Sequence, residues 1–364
     1  MKLGSLFDGS GGFPLAARRA GMETPWASEI DPYPIAVTRS RFPEMKHLGN
    51  VIKIDGAKIE PVDVITFGSP CQDLSEIGKR KGLKGERSAL FYEATRIIRE
   101  MRKATNGTLP RFAIWENVLG CLTSSGGDDF AAVLNEFLAL NEELPVVRPN
   151  KLRKAGAICG DAFSLAWRTF NARYWGVPQS RNRVFACVDF RGQSAPAVLF
   201  KRQDGVVHLE TMREGKGTAG NDNQDIARGG ELWCLSRSHF FKAFTSQYCY
   251  AFTSSYSGTP HVIVSKSGAR FMTATEYARC QGFPDDWGKI KPIPTREFDF
   301  WRGVWDEWDL ARGKRFKSDA QIAKWMAEPY RESHEYHMWG NGVALPCVQY
   351  ILNNVSTVLQ GETK

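Results

Sequence analysis

Short apolar runs and amphipathic stretches alternate along the first half of the chain. Residues 2–7 (KLGSLF) read as a strand, followed by a glycine-rich turn at 9–12 and a helix over 15–20 that Gly21 closes. Residues 25–30 predict a second strand running into acidic residues, and 33–41 a second helix. The unbroken apolar run 62–67 (VDVITF) predicts a strand buried on both faces. Residues 89–103 form a long amphipathic pattern with Leu90, Ile97, Ile98 and Met101 on one side. Strands at 112–115 and 184–188 complete the series. Such alternation predicts an α/β fold, a doubly wound Rossmann-like sheet with helices on both faces and ligands at the carboxyl ends of its strands.

The pattern changes after residue 190. Residues 192–269 are rich in Gly, Ser, Thr, Asn and aromatics with little helical period, which predicts a small, loop-rich β domain. Residues 289–337 place Trp301, Trp305, Trp308 and Trp325 among many charges. The first three fall at i, i+4 and i+7, one face of a helix, for which core packing is the simplest role. No fixed-period repeat is present, and no run of about 18 apolar residues that could span a membrane. The opening MKLGSLFDGSGGF lacks the basic stretch, apolar core and cleavage site of a secretory signal, so a cytoplasmic location is expected.

Charge changes this picture at one place. The 364 residues carry a formal net charge of +8, compatible with a polyanionic partner but common without one. Five of the cations and a single anion lie in the segment 78–88, GKRKGLKGERS, which cannot bury an apolar face and reads as a solvated loop. The eight cysteines (71, 121, 159, 187, 234, 249, 280 and 347) form no CxxC pair and no disulfide framework, so no metal site is expected and most should fill core space.

Three groups of residues carry candidate chemistry. Leu6-Phe7-Asp8-Gly9-Ser10-Gly11-Gly12 follows a strand and opens a helix, where a backbone can approach a ligand and a helix N-terminus favours an anion. Glu29, with Ile30 and Asp31, ends the next strand about twenty residues on, a spacing that lets a carboxylate bind both hydroxyls of a ribose. Together they suggest a cofactor containing adenosine, without saying which. Gly68-Ser69-Pro70-Cys71-Gln72 ends the buried strand, where cations or a helix N-terminus would activate a thiolate; alone, Cys71 would be read as core filler. Trp115-Glu116-Asn117-Val118 brings a carboxylate to the same sheet edge, and Gln179-Ser180-Arg181-Asn182-Arg183 two guanidiniums.

The ordered set LFDGSGGF, SEIDPY, GSPCQDLS, WENV, QSRNR, RFMTATEYARCQGFPDDW and WGNGVALP resembles the C5-cytosine DNA methyltransferase family, of bacterial or phage type, from Leu6 to Pro346. The resemblance implies S-adenosylmethionine as cofactor and double-stranded DNA as substrate, with the target cytosine flipped out of the helix. It implies that Cys71 attacks carbon 6, that a protonated Glu116 hydrogen-bonds N3, that Arg183 contacts O2 and that Arg181 supports the base or its phosphate. Phe7, Asp8, Gly9, Ser10, Gly11, Gly12, Glu29, Ile30, Asn50, Val51, Pro70, Leu90, Asn341 and Val343 would hold the cofactor; Asn50 and Val51 stand where the family often has Asp-Ile. Gln72, Ser75, Lys79, Arg80, Lys81, Lys84 and Arg87 would lie on the loop that closes over DNA. Gly342 replaces a more usual Ser, a change expected to be tolerated.

The family pattern further implies a discontinuous catalytic domain, 1–190 and 335–364, around a recognition domain, 191–334, that includes most of the tryptophan-rich insertion. Thr218, Thr245 and Thr253 are equal candidates for the recognition-loop threonine. A monomer is expected, with any cognate restriction endonuclease acting separately. Three alternatives stand beside this reading. A transfer-RNA methyltransferase of the same family would carry Cys-Phe-Thr where this chain has Ala243-Phe244-Thr245 and Ala251-Phe252-Thr253. A DNA-binding protein without activity would not need Cys71, Glu116 and Arg183 together. An NAD dehydrogenase explains only the first glycine turn.

Overall fold

The computed structural model describes residues 1–69, 89–141, 154–201, 231–234, 245–246, 249–252, 261–265 and 268–361. In chain order the strands are β1 (Lys2–Leu6), β2 (Glu23–Ser28), β3 (Lys46–His47), β4 (Val64–Phe67), β5 (Phe112–Val118), β6 (Ala155–Cys159), β7 (Ser164–Asn171), β8 (Gln179–Ser180) and β9 (Asn182–Asp189). Then come β10 (Glu231–Cys234), β11 (Thr245–Ser246), β12 (Cys249–Tyr250), β13 (His261–Ser265) and β14 (Gly268–Phe271). The helices are α1 (Gly12–Arg19), α2 (Pro32–Arg41), α3 (Ala89–Ala104), α4 (Asp128–Ala139), α5 (Ala195–Phe200), α6 (Ala274–Cys280), α7 (Phe298–Ala311), α8 (Asp319–Ala327), α9 (Glu332–Asn341) and α10 (Leu345–Gly361).

An eight-stranded sheet runs β3-β2-β1-β4-β5-β9-β7-β6. Strands β3 to β5 are mutually parallel, as the alternation predicts, whereas β9, β7 and β6 continue the sheet antiparallel. The chain winds outward from β1 in one direction through β2 and β3 and in the other through β4 and β5. The switch point therefore opens at the carboxyl ends of β1 and β4. The antiparallel hairpin β6–β7 has no counterpart among the predicted strands, although its edge strand β6 alternates exposed and half-buried residues.

Each face of the sheet has its own core. On one side α3 and α4 bury Phe91, Ala94, Ile97, Ile98 and Met101 against Phe67, Trp115, Phe130 and Phe137. Leu90, grouped by the sequence pattern with that apolar side, is only partly buried, and Phe91 takes the core position. On the other side α10 lies along α1, with Gln349 Nε2 donating to the Ala16 carbonyl (3.2 Å) and Ser356 Oγ to that of Ala20 (3.0 Å). The approach is close enough that a Cβ at Gly12 would lie 2.5 Å from Val343, so the first glycine turn and the C-terminal segment fit only because residue 12 has no side chain. Cys121, Cys187, Cys249, Cys280 and Cys347 are buried, and Cys159 is exposed.

A second sheet, β11-β10-β13-β14, is antiparallel. A separate parallel pairing joins β12 to β8, which immediately precedes β9 of the large sheet. The tryptophan-rich insertion behaves differently. In it, α7 and α8 pack Trp301, Trp305, Ile322, Trp325 and Met326 against Ile35 and Ala36 of α2, on the flank of the large sheet.

Candidate active site

A cavity of ≈ 430 Å³ opens at the switch point and runs from the ends of β1 and β2 to the ends of β4 and β5. Its first half is built by short strands that stop early. Predicted strand residues Phe7 and Glu29 lie just past β1 and β2, and Phe7 takes a left-handed φ of 54° that turns the chain over the sheet edge. Glu29 is held by three backbone N–H groups: Gly9 donates to Oε2 (2.9 Å), and Ile30 (2.7 Å) and Asp31 (2.9 Å) to Oε1. A carboxylate has about four acceptor sites, so this bracket fixes the group while leaving capacity for ligand hydroxyls. Next to it, Asp31 caps α2 through the Tyr33 N–H (3.1 Å), and its pKa is pushed up to about 7 by burial and then by Glu29.

Ser28 Oγ donates to the Gly49 carbonyl (2.6 Å), anchoring the loop that presents Asn50 and Val51 to the cavity. Asn50 Oδ1 accepts the Ile52 N–H (3.1 Å) to cap the turn Val51–Lys53, which leaves that carbonyl one lone pair for a ligand. Leu90 lines the same space from α3, and Asn341 from α9. Asp8, Ser10, Gly11, Gly12 and Val343 stand behind this wall rather than along it. Asp8 points inward, accepting Ser5 Oγ at 2.6 Å, and burial pushes its pKa up to about 8. Ser10 offers its carbonyl to Trp287 Nε1 (2.8 Å). Gly342 is crowded: a Cβ there would lie 3.0 Å from Gln281 Oε1 and 3.1 Å from Ser10 Oγ, so a serine would have to displace both.

The second half of the cavity holds the charged groups. Glu116 sits near the carboxyl end of β5, opposite Phe185 of β9, and Arg183 pairs in register with Val118. Antiparallel pairing thereby brings both side chains to one edge, with Arg183 Nε 2.9 Å from Glu116 Oε1. That contact lies off the line of an aligned hydrogen bond, so Oε1 keeps an unused acceptor site. Burial pushes the Glu116 carboxyl up, against the pull of Arg183 and Arg181. Gly68 leaves room for it, since a Cβ there would come within 3.2 Å of Glu116 Oε2. Asn117 Nδ2 donates to the Ser69 carbonyl (3.1 Å) and Trp115 Nε1 to Ser69 Oγ (3.3 Å), fixing the end of β4.

Arg181 also lines the cavity but is almost wholly buried, and its donors go to backbone carbonyls: Nη1 to Phe252 (3.3 Å), Nη2 to Gly340 (3.1 Å) and Gly342 (2.6 Å). Burial, and then Arg183, lower its pKa, and the nearby Glu116 opposes them. Its geometry is that of a brace between the C-terminal motif and the segment that follows β12.

Pro70, Cys71, Gln72, Ser75, Lys79, Arg80, Lys81, Lys84 and Arg87 lie outside the described residues, as do Thr218 and Thr253; Thr245 falls in β11. Cavity residues that the sequence motifs did not single out are Pro34, Trp308, His337 and Met338, while Gly340 belongs to the WGNGVALP motif. His337 and Met338 sit on α9 just before that motif, and a helical reading of it could have found them. Trp308 comes from the insertion, and no local pattern distinguishes it from its buried neighbours.

Comparison with known proteins agrees with this geometry. Residues 1–201 match the family model described as C-5 cytosine-specific DNA methylase. The DNA N-6-adenine-methyltransferase of Escherichia phage P1 is 30% identical over 229 residues, 56% of this chain but 30% of that protein, so the chain spans under a third of that relative's length. The Type II methyltransferase M1.ScrFI of Lactococcus lactis subsp. cremoris is 27% identical over 378 residues, covering 100% of this chain and 80% of that one. Among solved structures, the Dnmt2 methyltransferase of S. pombe superposes with a TM-score of 0.59 at 17% identity, over 100% of both chains, a likeness of fold.

Proposed function

The chain belongs to the C-5 cytosine-specific DNA methylase family, and from that premise we propose that it is a DNA (cytosine-5-)-methyltransferase that works through a covalent adduct of Cys71 with S-adenosylmethionine as cofactor. The observation that carries this reading is one cavity with two chemically distinct ends, a carboxylate held on three backbone N–H groups at one and a buried carboxyl of raised pKa beside Arg183 at the other.

The cavity suits the cofactor: its volume is that of a small-molecule site, Glu29 retains acceptor capacity for ribose hydroxyls, and Phe7, Val51 and Leu90 give apolar surface for an adenine. Asn50 would meet the adenine edge, and Gly9 and Asn341 the methionine end. Bound there, S-adenosylmethionine would supply an electrophilic methyl group on a sulfonium. The Cys71 thiolate would form a bond to carbon 6 of a flipped cytosine, and Glu116, protonated because burial favours its neutral form, would donate to N3 as electron density moves into the ring. Arg183, fixed by its strand and by Glu116, would donate to O2. Carbon 5, made nucleophilic by the adduct, would take the methyl; loss of its proton and departure of the Cys71 thiolate restore the aromatic ring. Lys79, Arg80, Lys81, Lys84 and Arg87, with Gln72 and Ser75, would contact the DNA backbone and give affinity without sequence information. Arg181 would act on the base indirectly, by holding the loop that carries Asn341.

On this reading residues 1–190 and 335–364 form the catalytic domain and the second sheet belongs to the part that reads DNA. The chain would act as a monomer on duplex DNA in the cytoplasm, separately from any cognate endonuclease.

The test is product analysis. Full-length protein incubated with S-adenosylmethionine and duplex DNA should yield 5-methylcytosine in the nucleoside digest, with transfer RNA a poorer substrate. N6-methyladenine as the product, as the name of the phage P1 relative would have it, or transfer RNA as the preferred substrate, would overturn the assignment. Cys71→Ser should abolish transfer and leave S-adenosylhomocysteine binding unchanged; preserved turnover would remove the covalent mechanism.

A further inference from the structure

Residues 289–337 lie outside the motifs that define the family resemblance, yet they supply a wall of the cavity. Helix α7 has two kinds of tryptophan. Trp301 and Trp305 enter the core shared with Trp325 and α2. Trp308, one turn further on, packs against the edge of that core, stays only partly buried, and lines the cavity with Phe7, Glu29 and Asn50. It also lines an adjoining cavity of ≈ 720 Å³ with Arg312, Lys317 and Lys324. Asp31, Trp308 and His337 are common to both spaces, so these three side chains form the partition between them.

The helix is fastened to the same end of the cavity. Glu307, the residue before Trp308, accepts the Asn50 N–H on Oε2 (3.2 Å) and pairs with Lys53 through Oε1. The loop that presents Asn50 and Val51 is therefore held by α7 itself. At the start of the helix, Arg39 of α2 pairs with Glu297 (3.1 Å) and lies over the Phe300 ring at 4.1 Å. The indole of Trp308 is held in turn by Arg312, whose guanidinium carbon lies 4.9 Å from the ring centroid. A large flat ring, fixed in place at a cavity wall beside a ribose-binding carboxylate, has the shape and chemistry to cover a nucleoside.

We propose that Trp308 is a cofactor contact, its indole covering the adenosine portion of S-adenosylmethionine, and that the inserted helices α7 and α8 are thereby part of the cofactor site. This rests on the reading of the cavity as the S-adenosylmethionine site. The insertion places Trp308 by two independent attachments, the tryptophan core on α2 and the Glu307 bonds to the 50–53 loop. Cofactor affinity then depends on a segment that adds nothing to the methyl-transfer chemistry.

The experiment is calorimetric titration of the full chain with S-adenosylhomocysteine, alongside steady-state kinetics and thermal melts. Trp308→Ala should raise Kd about tenfold or more, the scale of losing one base–aromatic contact. The cofactor KM should rise with it while kcat at saturation stays within about twofold, because the ring touches no reacting atom. Trp308→Phe should recover most of the affinity, and Leu310→Ala, an exposed position on the same helix, should change nothing. Unchanged Kd in Trp308→Ala, with wild type binding normally, would overturn the proposal alone. So would a loss in Trp308→Phe as large as in Trp308→Ala with a matching fall in Tm, the mark of a packing role. A flat wild-type titration would overturn the cofactor reading itself, and this proposal with it.

Discussion

At the residue scale, two buried carboxyls have raised pKa values for the same dominant reason and different consequences. Burial raises Glu116, and the neutral form is the one able to donate to a ring nitrogen. Activity should therefore fall as pH rises through the Glu116 pKa. Glu116→Gln should lower kcat by about 100-fold or more and lose that high-pH limb, read from the pH dependence of kcat/KM. Asp8 reaches about 8 in the fold from an ordinary value of 3.8, with Oδ2 buried and lacking a partner. The folded protein thus holds a proton that the unfolded chain releases between about pH 4 and pH 8. Its stabilising contribution is complete below that window and is lost as pH rises through it. In thermal melts, Asp8→Asn should gain in Tm relative to wild type between pH 5 and pH 8, and a constant difference would show that Asp8 is ionised throughout.

At the element scale, the parallel half of the sheet is legible because β1, β2, β4 and β5 are apolar runs separated by turn residues and helical periods. Boundaries were less so. Phe7 continues the apolar pattern of β1 but turns left-handed, since the chain there must leave the sheet edge to form a wall of the cavity. Leu90 fits the apolar side of α3 by spacing, while the structure gives the core to Phe91 because the first turn of that helix overlooks the cavity. The antiparallel strands depend on partners. Among these elements, β9 is fixed to β5 at its far end by a buried pair, Arg111 Nε to Asp189 Oδ1 at 3.1 Å. Asp189→Ala removes the carboxylate that accepts from the buried Arg111 guanidinium and from the Arg191 and Ser194 N–H groups, and should cost ~3–5 kcal/mol in urea unfolding. The double change Arg111→Met with Asp189→Leu should recover only part of that loss, because the two N–H groups lose their acceptor.

At the scale of the whole molecule, the site is assembled from segments far apart in sequence: the first turn, the ends of β4 and β5, the start of β9, the insertion and α9. Arg181, just before β9, is tied through backbone carbonyls to the end of α9 and to the residues after β12, a role that its motif alone did not suggest. A ligand that bridges so many segments should stabilise the fold as a unit. S-adenosylhomocysteine at 100 times its Kd should add ~2.7 kcal/mol to unfolding, visible as a single cooperative shift in Tm. Cys71→Ser should show the same shift, whereas Glu29→Ala, which removes the carboxylate bracketed by Gly9, Ile30 and Asp31, should show little.

The sequence by itself determined the family, the parallel sheet and the identity of Glu29, Glu116 and Arg183 as candidate site residues, because these follow from local periodicity and from motifs whose order is written along the chain. Tertiary structure alone decided which of the motif residues face the cavity and which stand behind it. Phe7 and Asp8 are neighbours in one motif, but only packing determines that Phe7 lines the cavity while Asp8 turns toward Ser5. It also separated Trp308 from Trp301 and Trp305, which one helical face had grouped together. The physical reason is that a side chain's burial depends on what other segments bring against it. At Trp308 the core on α2 ends and a cavity begins.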